Sequence, residues 1–501
     1  MSKQKQSPFF ISAQRHDKDR IEIKFGCDEI PEEYKHKIDY QVKLLMFTPR
    51  TLGLENFEDL SSLRQEFRSY NRLHTVSSNP KNEFASDRIE SRFKKMISSK
   101  DYQSIQIFGS EVHAYFKGKR KKIIYQINKN KSSKFLLEDL NQAKKTISIL
   151  RDYLLKESLE KKQIIELEQD SYPYQLLLLN EYVSHAYMQF LGKINSKLKN
   201  KTNYSEVISF IQNENNKEFE SRSAFGLQND FSKDEESTEN YLARISMLKK
   251  YFQKSLFIKS KEINPNEKLL FPVYALAAAI VALWASTIQI FFFKKYGPRM
   301  VSFIIVAVFA YIVKDLVKDY LRKKIMAKGS TFLPDIKKTL SLKRKQKEYK
   351  LGTIKEYLSF CEAEDIPKEV LNYRYENSTN SQLQRYIDED ILLFKKQVSL
   401  NLQELNKKDP FDWGFREIIR FRIERLLGSM SDPFKTLHSV SDSKKIETTK
   451  AHRIYKMVVL ACIYEGKDES ENLHSFRGFE FDIDKNGVLK CNPLKKASIK
   501  I

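Results

Sequence analysis

"LLFPVYALAAAIVALWASTIQIFFF", residues 269 to 293, runs for 25 residues without a charge. As a helix it would be about 37 Å long, against a bilayer hydrocarbon core of about 30 Å, so its length predicts a membrane crossing with some tilt. Pro272 falls in the first turn, where a missing N–H costs least. Ala278, Ala282 and Ser286 recur at every fourth position and give a small-residue face for close helix packing. Gly297 and Pro298, in the following "KKYGPR", suit a turn and a restart. The next uncharged run, Met300 to Val313, has 14 residues and is too short to span alone; extended over 298–317 it reaches about 30 Å. The expected element is a two-helix transmembrane hairpin over 269–317, with crossings at 269–293 and 298–317. The alternative for such an apolar pair is the buried core hairpin of a soluble protein.

The end of the second crossing is a seam. In "FAYIVKDLVKDYLRKK", residues 309 to 324, Leu316, Val317, Tyr320 and Leu321 continue an apolar stripe while Lys314, Lys318 and Arg322 line another face. Ionisable groups inside a bilayer are functional candidates by default. Here Lys314 and Asp315 fall near the end of the span, so Lys314, Asp315, Lys318 and Arg322 are expected at the membrane interface, close to anionic headgroups.

The rest of the 501-residue chain is water-facing: 31% of it is charged and the mean hydropathy is -0.53. The formal charge of +23 invites nucleic acid as a partner. Yet the dense clusters, Lys117 to Lys122 and "SLKRKQKEYK" at 341–350, lack aromatic interleaving or zinc-finger spacing, which makes nucleic acid an unlikely partner. The four cysteines form no CxxC and imply neither zinc nor a disulfide framework, as suits a reducing compartment. Nine Lys and Arg flank the hairpin against three in its connecting loop, and no apolar signal run precedes it. Both flanks are therefore expected in the cytosol, giving a multi-pass inner-membrane protein with both termini cytoplasmic.

The flanks read as α+β, with limits at 1–18 for a flexible tail, 19–268 for an N-terminal domain and 318–501 for a C-terminal domain. Runs rich in Ile, Val, Phe and Tyr predict strands at 20–25, 37–47, 104–109 and 121–127. Helices are predicted near 60–70 and 86–97 and through 134–168, 174–198 and 241–257, with 228–240 as a loop. After the hairpin, 339–360 suggests two strands, "FREIIRFRIERLLGSM" an amphipathic helix ended by Gly428, and the chain closes with a strand and a β-hairpin turning at Asn486-Gly487.

Catalytic signatures are sparse. Fourteen glycines include no phosphate-cradling pattern, and the eight histidines include no HExxH or metal-ligand pair. Asp482, Asp484, Asn486 and Gly487 match half of a calcium loop, but Pro493 stands where its bidentate Glu belongs, so a charged hairpin tip is the simpler account. Asp388, Glu389 and Asp390 form an acidic group that reads as a solvated strand end before an acid/base or metal site. No cofactor is implied and no catalytic residue is assigned.

The layout, with "FAYIVKDLVKDYLRKK", "REIIRFRIERLLGSMSDPF" and "AHRIYKMVVLACIY", resembles a loose group of bacterial proteins that carry a central two-helix hairpin between cytosolic domains. The resemblance implies the inner membrane and no particular activity. The expected function is an integral membrane protein whose cytosolic parts bind a partner or ligand or scaffold an assembly, with a protein partner and a homo-oligomer both open. A membrane-tethered enzyme and an oligomeric pore-forming effector are the alternatives.

Overall fold

The computed structural model describes residues 9–27, 30, 37–54, 60–75, 85–156, 171–227, 235–263, 265–296, 304–305, 308–309, 311–317, 319–320, 334–344, 347–377, 388–403, 413–440, 446–466 and 473–495. The protein is α+β, as its alternating and helical periodicities require. β3 (Lys37–Pro49) is buried at most of its positions, and unbrokenly so from Leu44 to Thr48, as suits a strand covered on both faces, and it lies inside the larger sheet. That sheet is antiparallel. Its order runs β14 (Gly487–Pro493), β13 (Leu473–Asp484), β12 (Tyr455–Glu465), β3, β8 (Glu389–Asn401), β7 (Lys347–Phe360), β6 (Ile336–Arg344) and β5 (Lys259–Ile263). A second sheet has the order β1 (Phe9–Arg15), β2 (Arg20–Cys27), β9 (Trp413–Arg422) and β4 (Phe67–Thr75). A two-stranded ribbon, β10 (Phe434–Val440) and β11 (Ile446–His452), stands almost wholly exposed.

The smaller sheet obeys the period of two. Ile21, Ile23, Phe25, Phe415, Ile419 and Phe421 turn inward onto the large sheet, where Phe67 stacks between Phe394 and Phe421 at 5.1 and 4.5 Å. The alternate positions, Lys24, Arg416, Ile418 and Arg420, face out. Because β9 lies between β2 and β4, and β3 between β8 and β12, the segments expected at 19–268 and 318–501 share one β core.

Helices α1 (Leu60–Gln65), α2 (Ala85–Ser99), α3 (Tyr102–Asn128), α4 (Ser133–Lys156), α5 (Tyr172–Leu198), α6 (Ser205–Ala224) and α7 (Glu235–Gln253) precede the apolar segment. From α2 onward they bury a core of their own around Phe108, Phe116, Leu179, Phe190 and Phe252. The strands expected at 104–109 and 121–127 are both parts of α3. Asp101 caps that helix by accepting from the Ser104 N–H at 2.9 Å, and Ile105, Phe108, Val112 and Phe116 are buried at helical spacing. Local β propensity loses there to packing on α5. Similarly, the helix expected over 60–70 stops at Gln65 and gives way to β4, and α7 begins at Glu235, inside the expected loop. The helix expected over "FREIIRFRIERLLGSM" is β9 followed only by a short helix, Glu424–Gly428. The Asn486-Gly487 hairpin forms as expected.

Beyond β5 the chain enters α8 (Pro265–Tyr296), which contains the charge-free run. Among the described residues it is the one helix long and apolar enough to cross a membrane: 18 residues, Ala278–Lys295, have a mean hydropathy of 1.3 and are 6% buried. The second expected crossing, 298–317, is helical where described, at 304–305, 308–309 and 311–317, and its remaining residues lie outside the described set.

A basic cavity between the small sheet and the helices

The outer face of the four-stranded sheet carries aligned rows of side chains. Across β1, β2, β9 and β4 the register places Phe10, Gly26, Arg416 and Arg72 in one row, and Ser12, Lys24, Ile418 and Tyr70 in the next. Gln14, Glu22, Arg420 and Arg68 form a third. Gly26, at φ +151°, lets β2 approach β9 beside Arg416: a Cβ there would lie 2.0 Å from the Phe415 carbonyl oxygen.

Helices α3 and α7 stand over part of this face. Ser110 on α3 donates to the Phe252 carbonyl at 2.9 Å, and Phe252 stacks on Tyr182 with centroids 4.7 Å apart. The segment after α7 is tied to the edge strand β4, where the Ile258 N–H donates to the Asn71 carbonyl at 3.1 Å. Sheet and helices line an open cavity of about 630 Å³.

Its charge is one-sided. Lys24, Arg72, Arg416 and Arg420 reach it from the sheet, Lys117 and Lys121 from α3, and Lys249 from α7. Among the described residues Glu22 is the one carboxylate lining it, and that group already accepts from Arg420 at 2.7 Å and pairs with Lys24 at 2.8 Å. Burial would raise the Glu22 pKa, but these two cations hold it below the usual range. Burial first, and then Arg416, depresses the Arg72 pKa to about 10. Lys117 is lowered to about 8 by partial burial and by Lys121, Lys24, Arg416 and Arg72, although its side chain still meets solvent in the cavity. His113, stacked on Tyr182 at 5.4 Å, is lowered to about 4 by burial and then by Lys249 and Lys117. Among the described residues Lys117 meets no carboxylate at ion-pair distance, and the buried Arg72 Nε has no hydrogen-bond partner. Such a surplus of cations in a recess is suited to holding an anion.

A second recess of about 220 Å³ continues along the same face, lined by Arg20, Arg68, Arg420, Arg422 and Arg425. Tyr70 and Arg420 border both recesses, and the Arg420 guanidinium lies over the Tyr70 ring at 5.1 Å. Glu66 pairs with Arg422 at 2.9 Å and with Arg425 at 3.3 Å, which leaves Arg68 without a carboxylate among the described residues.

The concentration of charge between the two sheets is closed. Lys396 and Glu417, both fully buried, form an ion pair between the two sheets, and Glu356 accepts from Lys396 at 3.0 Å and from Lys338 at 3.1 Å. None of these four lines either recess, and their role is to join the sheets.

The interfacial residues read from sequence lie elsewhere. Lys314 and Asp315 are half-buried, with the Lys314 ammonium 4.2 Å from the Tyr311 ring centroid, while Lys318 and Arg322 lie outside the described side chains. The acidic group at 388–390 is met by arginines: Arg50 pairs with Asp388 at 3.5 Å and Asp390 at 3.3 Å, and Arg374 with Glu389 at 2.6 Å. Asp484 accepts from the Asn486 N–H at 2.8 Å and contacts His452 at 2.9 Å, as a hairpin tip does. Sequence reasoning noticed Lys117 and Lys121 only as part of a charge run. It missed Arg72, Arg416 and Arg420, although the alternation in "FREIIRFR" carried the signal: Arg416, Arg420 and Arg422 share one strand face, whereas on a helix Arg422 would turn about 200° away from Arg420. No family model matches the chain, and no curated protein or solved structure matches it.

Proposed function

We propose that the protein is a membrane-anchored anion-binding protein: α8 and the segment 298–317 form a transmembrane hairpin, and the α+β body on its cytosolic side takes an anionic ligand in the basic cavity. The observation that carries the binding assignment is the seven cations around about 630 Å³ with a single, already paired carboxylate. Two further facts support the anchor. Leu276, Ile280, Leu283, Trp284, Ile290 and Phe291 on α8 are each at least half exposed, a cover of apolar surface that water disfavours and lipid accepts.

The second fact is topological. β5, which feeds α8, pairs antiparallel with β6, which follows the hairpin, from Lys259 opposite Ser341 to Ile263 opposite Lys337. Chain leaving and chain returning thus meet in one sheet, which favours an even number of crossings and makes 298–317 the natural second one. The cavity adjoins this exit, since Phe257 lines it two residues before β5 begins.

The test is thermal unfolding of the detergent-purified full chain at low ionic strength with chloride, sulfate, orthophosphate and tripolyphosphate. Multivalent anions are expected to raise Tm in a saturable way, as ligands that favour the native state do, and Lys117→Gln with Arg72→Gln should abolish the effect. Identical Tm values in all four salts would overturn the assignment.

A further inference from the structure

We infer, resting on that assignment, that the ligand is a polyphosphate that spans both recesses, with the Tyr70–Arg420 pair as the sill between them. The row holding Arg416 and Arg72 and the row holding Arg420 and Arg68 are four residues apart along β9 and β4, about 13 Å at ~3.3 Å per residue. A single phosphate can engage one row at a time. A ligand with several phosphates engages both, because long arginine side chains close the remaining gap from each end.

The side-chain chemistry favours phosphate over carboxylate. Arginine dominates the sheet side of both recesses, and its planar fork matches phosphate oxygens in two-point contacts. On the helix side Lys117, Lys121 and Lys249 supply mobile point charges for a ligand's remaining oxygens. The cations outnumber the carboxylates in each recess, as the charge of more than one phosphate requires.

A small ligand fits better than a nucleic-acid strand. Strand binding needs successive aromatic platforms along an open groove. Here the helices cover part of the face, and Tyr70, the aromatic ring at the sill, is already occupied on one side by Arg420. The free side of that ring can take the base of a nucleoside polyphosphate; an inorganic polyphosphate would leave it bare.

Isothermal titration of the full chain in detergent with orthophosphate, tripolyphosphate, ATP and a short single-stranded oligonucleotide separates these sources. Tripolyphosphate or ATP is expected to bind at least about tenfold more tightly than orthophosphate, the worth of one added charge-assisted hydrogen bond. Arg68→Gln should weaken tripolyphosphate by a larger factor than orthophosphate, whereas Lys117→Gln should weaken both; circular dichroism checks that each variant is folded. ATP binding more tightly than tripolyphosphate, with the difference lost in Tyr70→Leu, assigns a nucleoside polyphosphate; equal affinities assign inorganic polyphosphate. Orthophosphate binding as tightly as tripolyphosphate, with Arg68→Gln affecting them alike, overturns the two-recess ligand while leaving anion binding in place. Binding of no anion overturns both. An oligonucleotide that outcompetes every small anion overturns the polyphosphate in favour of a nucleic-acid strand.

Discussion

At the scale of the residue, Lys396 and Glu417 place an ion pair within the apolar layer between the two sheets. Both are fully buried, and burial lowers the Lys396 pKa to about 8 despite the opposing pull of Glu356. Glu356 is raised by burial but brought down to about 2 by Lys396 and Lys338. Tyr40 adds a hydrogen bond to Glu417 at 3.5 Å, and burial pushes its phenol well up. Each charge is tolerable only while its partner is present. Lys396→Met is therefore expected to cost about 3–5 kcal/mol by leaving Glu417 and Glu356 short of a cation, and Lys396→Met with Glu417→Gln should recover part of that loss. Chemical denaturation of the three proteins checks this; a double variant less stable than the single one would contradict it. Arg72, Arg416 and Arg420 differ from that pair in lining a recess rather than lying between the sheets.

At the scale of the element, α3 and α5 hold two histidines whose charging the fold resists. His113 and His185 are both lowered to about 4, chiefly by burial, and His185 bonds the Tyr241 hydroxyl at 2.9 Å. Between the unfolded value near 6.5 and about 4 the unfolded chain binds protons that the native helices refuse, so stability falls as pH drops through that window. The expected loss is about 1–2 kcal/mol for each histidine once their partial contact with solvent is allowed for. It should appear as a falling Tm from pH 7 to 4.5, with a shallower slope in His185→Gln. An equal slope in that variant would remove His185 from the account. The same elements show where sequence periodicity misleads. In α3 the β-branched residues of 104–109 and 121–127 have strand propensity, and only packing against α5 and α7 selects the helix. In β9 the spacing of Arg416 and Arg420 fits a helix face, and only pairing to β2 and β4 selects the strand.

At the scale of the whole molecule, the β core is assembled from chain on either side of the apolar segment, so the body lies on one side of any membrane that α8 crosses. Gly297→Cys is expected to react with a membrane-impermeant maleimide in intact spheroplasts, while Lys347→Cys and the partly exposed native Cys361 and Cys491 should react only after lysis, and the buried Cys27 and Cys462 should stay unlabelled while the protein is folded. Labelling of Lys347→Cys in intact spheroplasts would place the body outside, and equal protection of Gly297→Cys would remove the hairpin. The shared core also bears on expression: residues 19–268 alone lack β8, β9 and β12, the partners of β2, β3 and β4, and are expected to aggregate.

What the sequence by itself determined is local: a charge-free run long enough for a bilayer, the strand-forming composition of β2, β3 and β12, the buried stripe of α5 and the turn at Asn486-Gly487. Each depends on neighbours within a few residues, where side-chain period and turn chemistry act. Only the tertiary structure decided that β9 joins β2 and β4, that Lys117 of α3 faces Arg72 and Arg416, and that β5 meets β6 beside α8. Those juxtapositions join residues tens to hundreds of positions apart. They are fixed by burial of the shared apolar core, a property of the assembled sheets that no single stretch of chain carries.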